Sequence, residues 1–216
     1  MSKPYTEDDL ANQLDSDFTW RLRELSDLKA AIARSEATAR PVLLRSLVTI
    51  LYAHWEGHIQ FCSRKYFEHV TLRAHRYDRL ERQFYINSFL ARIDALFLSR
   101  ASVEASCRLV AEVLDSTNKQ FSRINASLID TRSNLNSHVM RDLCTICSVD
   151  FAYFDSKKHF IDVMLLKRRN AIAHGGETFI EVEEVDDLIA EGTSLMRVFK
   201  DSLQNKVYLK SYLVAG

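Results

Sequence analysis

The sequence predicts an all-α protein, built as a bundle of long antiparallel helices with several extra helices. Apolar residues recur at three- and four-residue spacing along most of the chain, and no segment alternates with the two-residue period of a strand. Only 5 glycines and 2 prolines occur among 216 residues, so few positions favour a sharp turn. This length suits one hydrophobic core, and we expect residues 1–216 to form a single domain.

The first two predicted helices are long. Helical spacing of apolar residues predicts the first over residues 6–34, and Thr6 with Asp9 has the pattern of a capping box. Pro41 suits the first turn of the second helix, and residues 42–66 are apolar on most sides. A helix of this character is expected at the centre of the bundle.

The remaining elements follow from the same periodicity and from end signals. The segment after residue 156 is expected to end at Gly175-Gly176, and acidic residues begin the last helix, where the helix dipole favours anions. An extended link over 178–180 separates the helix that ends at Gly175-Gly176 from the last helix. The predicted helical segments lie near 80–97, 102–114, 118–130, 137–147, 156–173 and 183–203.

The charge balance is neutral, with 29 Lys and Arg against 29 Asp and Glu. Bulk charge therefore favours neither a protein that coats nucleic acid nor a polyanion mimic. The N-terminal residues contain no apolar stretch like a signal peptide, and the longest apolar run, near 47–53, is too short to span a bilayer. We expect a cytoplasmic protein with no membrane contact, whose four cysteines are reduced.

The end of the helix over 156–173 carries the most informative residues. At 100° per residue, Ile161 and Ile172 lie on one side of the helix, which is the predicted core face. Asn170 and His174, four residues apart, lie on the opposite side. Arg169 projects about 140° away from His174 on a regular helix, so only its length or a partner helix could bring the two together. A helix C terminus also favours a positively charged imidazole.

Two motifs resemble the HEPN domain superfamily. Leu166-Lys167-Arg168-Arg169-Asn170-Ala171-Ile172-Ala173-His174-Gly175 resembles the Arg-Asn-x3-His form of its Arg-x4–6-His motif. Leu51-Tyr52-Ala53-His54-Trp55-Glu56-Gly57 resembles the Ala-His-Trp-Glu-Gly helix of a stand-alone bacterial subfamily of the RiboL-PSP-HEPN type. The order and separation of the two motifs also match. The resemblance covers about 40–205, with the helix over 6–34 packed on that core.

The resemblance implies a homodimer whose two Arg/His motifs share one cleft, and RNA cleavage that needs no metal or cofactor. His174 would act as general acid or base, Arg169 would bind the phosphate, and Asn170 would orient one of them. The products would carry 2′,3′-cyclic phosphate ends. A toxin or phage-defence effector, restrained by an antitoxin or other partner, is one role that the family suggests. A catalytically inactive module that binds RNA, nucleotide or a protein is the alternative, and a structural adaptor is a third class.

Further residues are expected to support this site. Glu56 is a carboxylate on an apolar helix and needs a partner, for which Arg169 is suitable; His54 is the second candidate helper. Lys157, Lys158, Lys167 and Arg168 lie near the motif and are the expected first phosphate contacts.

Three other patterns have a functional and a structural interpretation. His54 and His58 have a spacing compatible with zinc, but no third ligand is evident, and we predict no metal site. Cys144 and Cys147 have the spacing of a redox or zinc motif, although two cysteines inside a helix usually belong to the core. The basic, aromatic-rich stretch 64–92 could bind a single strand, or its aromatic residues could simply form core.

Overall fold

The computed structural model describes residues 3–99, 102–115, 118–131 and 133–214, and within these residues the protein is helical. Its only β-structure there is two isolated bridges, Arg76 to Gln120 and Leu80 to Leu213. The α-helices are α1 (Glu7–Arg34), α2 (Arg40–Leu72), α3 (Arg82–Ser99), α4 (Val103–Asp115), α5 (Ser137–Cys147), α6 (Ala152–Ser156), α7 (Arg168–Ala173) and α8 (Val185–Tyr208). Three 3₁₀ turns (Tyr77–Arg79, Ala126–Ile129, Val182–Glu184) and a π-helical segment (Phe160–Lys167) complete them. The predicted all-α fold is confirmed.

Three long helices, α1, α2 and α8, form the core. The predicted capping box begins α1, with the Asp9 N–H donating to Thr6 Oγ1 and the Thr6 N–H to Asp9 Oδ2, both at 2.9 Å. The Pro4 carbonyl accepts a bond from His69 near the end of α2, so α1 and α2 run antiparallel. Ion pairs of α1 with Lys200 and Asp186 show that α8 is also antiparallel to α1.

The centre of the bundle is α2, as predicted from its apolar sequence. Leu47, Leu51, Trp55 and Ile59 are each 0% exposed. Gly192 allows α8 to approach closely, because a Cβ atom there would lie 2.7 Å from Leu51 Cδ1. Despite this apolar character, no helix of the described residues is long and apolar enough to cross a membrane.

A buried polar layer joins α1 to α2. Asp17 accepts bonds from Arg21 Nε at 2.8 Å and from His58 Nδ1 at 2.6 Å, and Cys62 Sγ lies 3.4 Å from His58 Nε2. Burial alone raises the pKa of Asp17, but the bonds from His58 and Arg21 outweigh it and lower the pKa to about 2. The aspartate therefore stays charged inside the bundle, and its partners fix the register of the two helices.

Three buried histidines predict a loss of stability in mild acid. Burial is the main cause that lowers the pKa of His54, His58 and His69 below the ordinary value of 6.5. Below that pH the unfolded chain binds more protons than the folded chain, so the free energy of unfolding falls as pH falls. We expect a lower Tm at pH 5.5 than at pH 7.5, by about 2–4 °C for each kcal/mol lost. A Tm equal or higher at pH 5.5 would contradict this.

The structure corrects two of the predicted helical segments. Residues 118–130 are mostly irregular, with one 3₁₀ turn. Phe121 enters the core from the irregular part, where its N–H bonds to the His75 carbonyl, and Ile129 enters the core from the 3₁₀ turn. Asn125 also caps the 3₁₀ turn with its side chain instead of continuing a helix. The segment 156–173 divides into α6, the π-helical segment and α7. The other helices begin and end within a few residues of the predicted bounds, although α2 extends to Leu72.

Candidate active site

The motif that contains Arg169 and His174 ends α7 in a glycine-dependent cap. The Gly176 N–H donates to the Ala171 carbonyl at 2.7 Å, and the Gly175 N–H to the Ile172 carbonyl at 3.1 Å, which is a Schellman arrangement. Gly175 has φ of 76°, and a Cβ atom at Gly176 would lie 3.0 Å from the Ala171 oxygen. The glycine pair therefore fixes His174 as the C-cap residue directly after α7, where its side chain is exposed.

The π-helical segment determines which side of α7 meets α2. Five residues separate Ile161 from Leu166, and both are buried, as the wider turn of a π-helix requires. A regular α-helix would place Leu166 off the core face that was predicted. Arg169 then follows Leu165 by one α-helical turn and lies partly buried against α2.

Arg169 is the best-fixed side chain of the motif. Its guanidinium carbon lies 4.3 Å from the centre of the Tyr52 ring on α2, within the range of a cation–π contact. Its Nη1 donates to Asn170 Oδ1 at 2.8 Å and its Nη2 to the Ser133 carbonyl at 3.0 Å. The Arg169 side chain remains 23% exposed, so it is not sealed inside the protein.

Glu56 lies beside Arg169, as the sequence suggested, and loop residues hold it there. Its Oε2 is 4.0 Å from Arg169 Nη2, and its Oε1 accepts a bond from the Thr131 hydroxyl at 2.5 Å. Thr131 is fully buried and also accepts a bond from Gln60 Nε2. The arrangement gives the partly buried carboxylate two polar partners and places a negative charge beside the guanidinium.

Asn170 and His174 behave differently from each other. The Asn170 side chain binds Arg169, so in this chain the amide orients the guanidinium and not the imidazole. His174 is joined to Asn170 only through its backbone N–H, at 3.0 Å. Within the described residues the His174 ring has no hydrogen-bond partner, so it is free to meet a substrate or a second chain.

The structure does not bring His54 to this cluster. Two residues along a helix correspond to about 200°, so His54 and Glu56 face opposite sides of α2. His54 is buried against α1, where its Nδ1 accepts from Arg21 at 3.3 Å and its Nε2 lies 2.9 Å from Glu24. Gly57 belongs to the same interface, because a Cβ atom there would be 3.1 Å from Arg21 Nη1.

The four predicted phosphate contacts are in different states. Arg168 binds Glu184 through two bonds, at 2.9 and 3.3 Å, and so joins α7 to the turn before α8. Lys157 and Lys158 pair with Glu191 and Asp155 at the surface. Lys167 is exposed and has no ion-pair partner among the described residues. Of the four, Lys167 can therefore bind a phosphate without first losing an ion pair. The exposed ion pairs of Lys157 and Lys158 contribute little free energy, so a phosphate can replace their acidic partners.

The other sequence patterns are part of the core. Cys144 and Cys147 are buried, and burial raises the pKa of both thiols. His58 is fully buried and bound to Asp17, while His54 binds partners on a different turn of α1. Among the described residues no three His, Cys, Asp or Glu side chains are grouped to hold a metal ion. In the stretch 64–92, four of the aromatic residues are buried: Tyr66, Phe67, Phe84 and Phe89.

Sequence reasoning missed the residues that hold Arg169. Tyr52 precedes Glu56 by four residues on one face of α2, so helical spacing could have identified it once Glu56 was chosen. Thr131 and Ser133 carry no such signal, because their loop reaches α2 and α7 across long sequence separations.

Tyr52 also supports the loop, which gives a stability prediction. Its hydroxyl accepts the buried Leu135 N–H at 2.6 Å, and burial raises the Tyr52 pKa, so the phenol stays neutral. We expect Tyr52→Phe to lower the free energy of unfolding by about 1–3 kcal/mol, because the amide loses its acceptor. Denaturant titration measures this, with the exposed Tyr208→Phe as the control. Equal stability of both variants would contradict the assignment.

Comparison with protein families gives a match over most of the chain. The model described as RiboL-PSP-HEPN matches residues 16–205, a span that contains both motifs and most of the helical core. Comparisons with curated proteins and with solved structures returned no match. A family match of this extent indicates a ribonuclease-type or RNA-related function. The chain belongs to the RiboL-PSP-HEPN family.

Proposed function

We propose that the protein is an endoribonuclease that cuts RNA without a metal ion, using Arg169 and His174. The observation that carries this proposal is the fixed Arg169 guanidinium, which rests on Tyr52 and is bonded to Asn170 and Ser133. The Arg169 side chain stays 23% exposed, less than two helical turns from an exposed His174 whose ring has no hydrogen-bond partner among the described residues. A fixed planar cation can stabilise the charge that develops on a phosphate, and a free imidazole can transfer protons when a ribose hydroxyl cleaves the phosphodiester.

The chemistry follows from these two groups. The 2′-hydroxyl oxygen attacks the adjacent phosphorus, forming the O2′–P bond as the P–O5′ bond breaks. His174 takes the hydroxyl proton as a base or, when protonated, gives a proton to the leaving 5′ oxygen. Arg169 donates to the phosphate oxygens as negative charge develops on them. The products are a 2′,3′-cyclic phosphate and a 5′-hydroxyl.

A second copy of the chain completes the site in this proposal. Arg169 and His174 are five residues apart on α7 and project about 140° from each other, so one chain does not present both to the same phosphate. A mostly apolar groove of about 550 Å³ lies beside α7, lined by Pro41, Val42, Ile50 and Ile172 together with Arg45, Ser46 and Thr49. Val42 is 65% exposed there, and Ile172 precedes His174 by two residues. We expect the partner chain to pack against this groove.

A substrate series tests the proposed reaction. We expect purified protein to cut single-stranded RNA in the presence of EDTA and to leave DNA of the same sequence intact. A DNA strand with one ribonucleotide should be cut only after that ribonucleotide, because only there is a 2′-hydroxyl available. Cleavage of all-DNA strands, or a strict requirement for a divalent ion, would overturn the proposal.

A binding module without activity is the second candidate. Its supporting observation is that Arg169 already has two protein acceptors, Asn170 and Ser133, and so is stable without a reacting phosphate. This candidate predicts RNA that is bound but stays intact under every condition. The substrate series therefore separates the two.

The biological role in this proposal is a cytoplasmic toxin or phage-defence effector, restrained by an antitoxin or another partner protein. Expression alone should then arrest cell growth, and His174→Ala should relieve the arrest at equal protein level. Normal growth with the active chain would argue against the toxin role while leaving the RNA chemistry to the biochemical tests.

A further inference from the structure

A chain of hydrogen bonds runs from the candidate active site along α2. Thr131 donates to Glu56 and accepts from Gln60, and Arg64 Nη2 donates to Gln60 Oε1 at 3.3 Å. Glu56, Gln60 and Arg64 follow one another at four-residue spacing, so they share one face of the helix. Arg64 lies about 12 Å along α2 from Glu56.

Two clefts continue from Arg64. The first, about 280 Å³, lies between α2 and the irregular segment 122–129 and contains Lys3, Arg64 and Arg123. The second, about 660 Å³, lies on the other side of Arg123 and contains Lys119. The Tyr77 and Tyr85 rings, 5.4 Å apart, line the second cleft. We call the path from Arg64 through Arg123 to Lys119 the lateral groove.

The uncompensated charge of the lateral groove is positive. Within the described residues, no carboxylate lies within 4.0 Å of a side-chain nitrogen of Lys3, Arg64, Lys119 or Arg123, all of which are exposed. The two carboxylates of the clefts are already paired. Glu68 binds Lys65 at 2.8 Å, and Glu112 binds Arg92 at 2.5 Å. Most of the cations near the motif itself, in contrast, have acidic partners.

We propose that the lateral groove binds the single-stranded RNA that flanks the cut phosphodiester. This proposal rests on the proposed cleavage function and adds the substrate class: an extended single strand several nucleotides long. Unpaired cations in a row suit successive phosphates, and the Tyr77 and Tyr85 rings can stack on exposed bases. A duplex keeps its bases stacked inside, so it cannot use these rings.

Binding measurements test the groove apart from cleavage. The parent for binding is His174→Ala, which leaves the RNA intact, and the probe is a fluorescent 16-nucleotide oligouridylate. Adding Arg64→Ala, Lys119→Ala and Arg123→Ala should weaken binding at least tenfold. The slope of log affinity against log salt should fall in magnitude by about 2, since each lost single-strand phosphate contact removes about 0.7. The control removes two exposed cations of α1, Arg23 and Arg34, which have no ion-pair partner among the described residues.

Short RNA distinguishes the two proposals. In the otherwise active chain, the groove substitutions should leave cleavage of a four-nucleotide RNA unchanged and raise KM for the 16-nucleotide RNA. Unchanged long-RNA binding by the triple variant, or equal losses in the α1 control, would overturn the groove while cleavage stands. If the chain with His174 in place cuts no RNA but the triple variant alone loses binding, the cleavage proposal fails and the groove remains an RNA site. Arg123→Glu alone, which changes one exposed residue, serves if the triple variant does not fold.

Discussion

His174→Ala and Arg169→Ala should each lower the rate of RNA cleavage by at least a hundredfold. Loss of general acid–base catalysis costs about 10²–10⁴ in rate, and loss of one preorganised donor to a developing charge about 10²–10³. His174 is exposed at the end of α7, so its replacement should not alter the fold. Initial rates in EDTA with a labelled RNA measure the effect.

Two controls make this prediction specific. His138→Ala replaces an exposed histidine of α5 and should leave the rate unchanged. Arg169→Lys keeps the positive charge but loses the planar fork that reaches Asn170 and Ser133, so it should remain strongly impaired in a folded protein. Full activity in Arg169→Lys would show that charge alone is sufficient, and full activity in His174→Ala would remove His174 from the mechanism.

Mixing the two inactive chains should restore activity. A dimer of one Arg169→Ala chain and one His174→Ala chain contains an intact arginine and an intact histidine on different subunits. If the two motifs share one cleft, the mixed dimer should be at least tenfold faster than either pure variant. The two chains are co-expressed with different tags and purified through both tags before the rate is measured.

The outcome of that mixing depends on the subunit arrangement. A mixed dimer as inactive as its parents would show that each subunit uses its own Arg169 and His174. Val42→Asp places a charge in the apolar groove beside α7 and should weaken both dimer formation and cleavage. A protein that is monomeric and fully active at every concentration would contradict the shared cleft.

Most of the fold was predictable from the sequence, because its main signals are local. Apolar spacing identified α1, α2, α5 and α8, and the capping box at Thr6 and the glycine pair at 175–176 marked two helix ends. The prediction of a helix over 118–130 was wrong. Phe121 and Ile129 have the spacing of a helix face, but each is buried through its own tertiary contacts.

The site was less predictable, because its geometry depends on long-range contacts and on backbone irregularity. The prediction assumed a rotation of 100° per residue up to Arg169. In the π-helical segment Phe160–Lys167 the rotation per residue is smaller, and Leu166 is buried as a result. The Ser133 carbonyl, which accepts a hydrogen bond from Arg169, lies in a loop that carries no sequence motif. Only the pairing of Glu56 with Arg169 followed from a physical argument on the sequence, namely that a carboxylate on an apolar helix needs a partner.

The residues of the motif Leu51–Gly57 have two different roles, which the sequence alone did not separate. His54 and Gly57 face Arg21 of α1, and Trp55 is buried in the core. Tyr52 and Glu56 face Arg169. The motif therefore couples the α1–α2 interface to the candidate active site, and substitutions at His54 or Gly57 should act on stability before they act on chemistry.

The chemical identity of the cut RNA ends tests the central claim most directly. Mass spectrometry of fragments made in EDTA should show 2′,3′-cyclic phosphate on the upstream piece and 5′-hydroxyl on the downstream piece. The same reaction with His174→Ala should yield neither. Fragments with 3′-hydroxyl and 5′-phosphate ends, or cyclic ends formed equally fast by His174→Ala, would contradict RNA cleavage by Arg169 and His174.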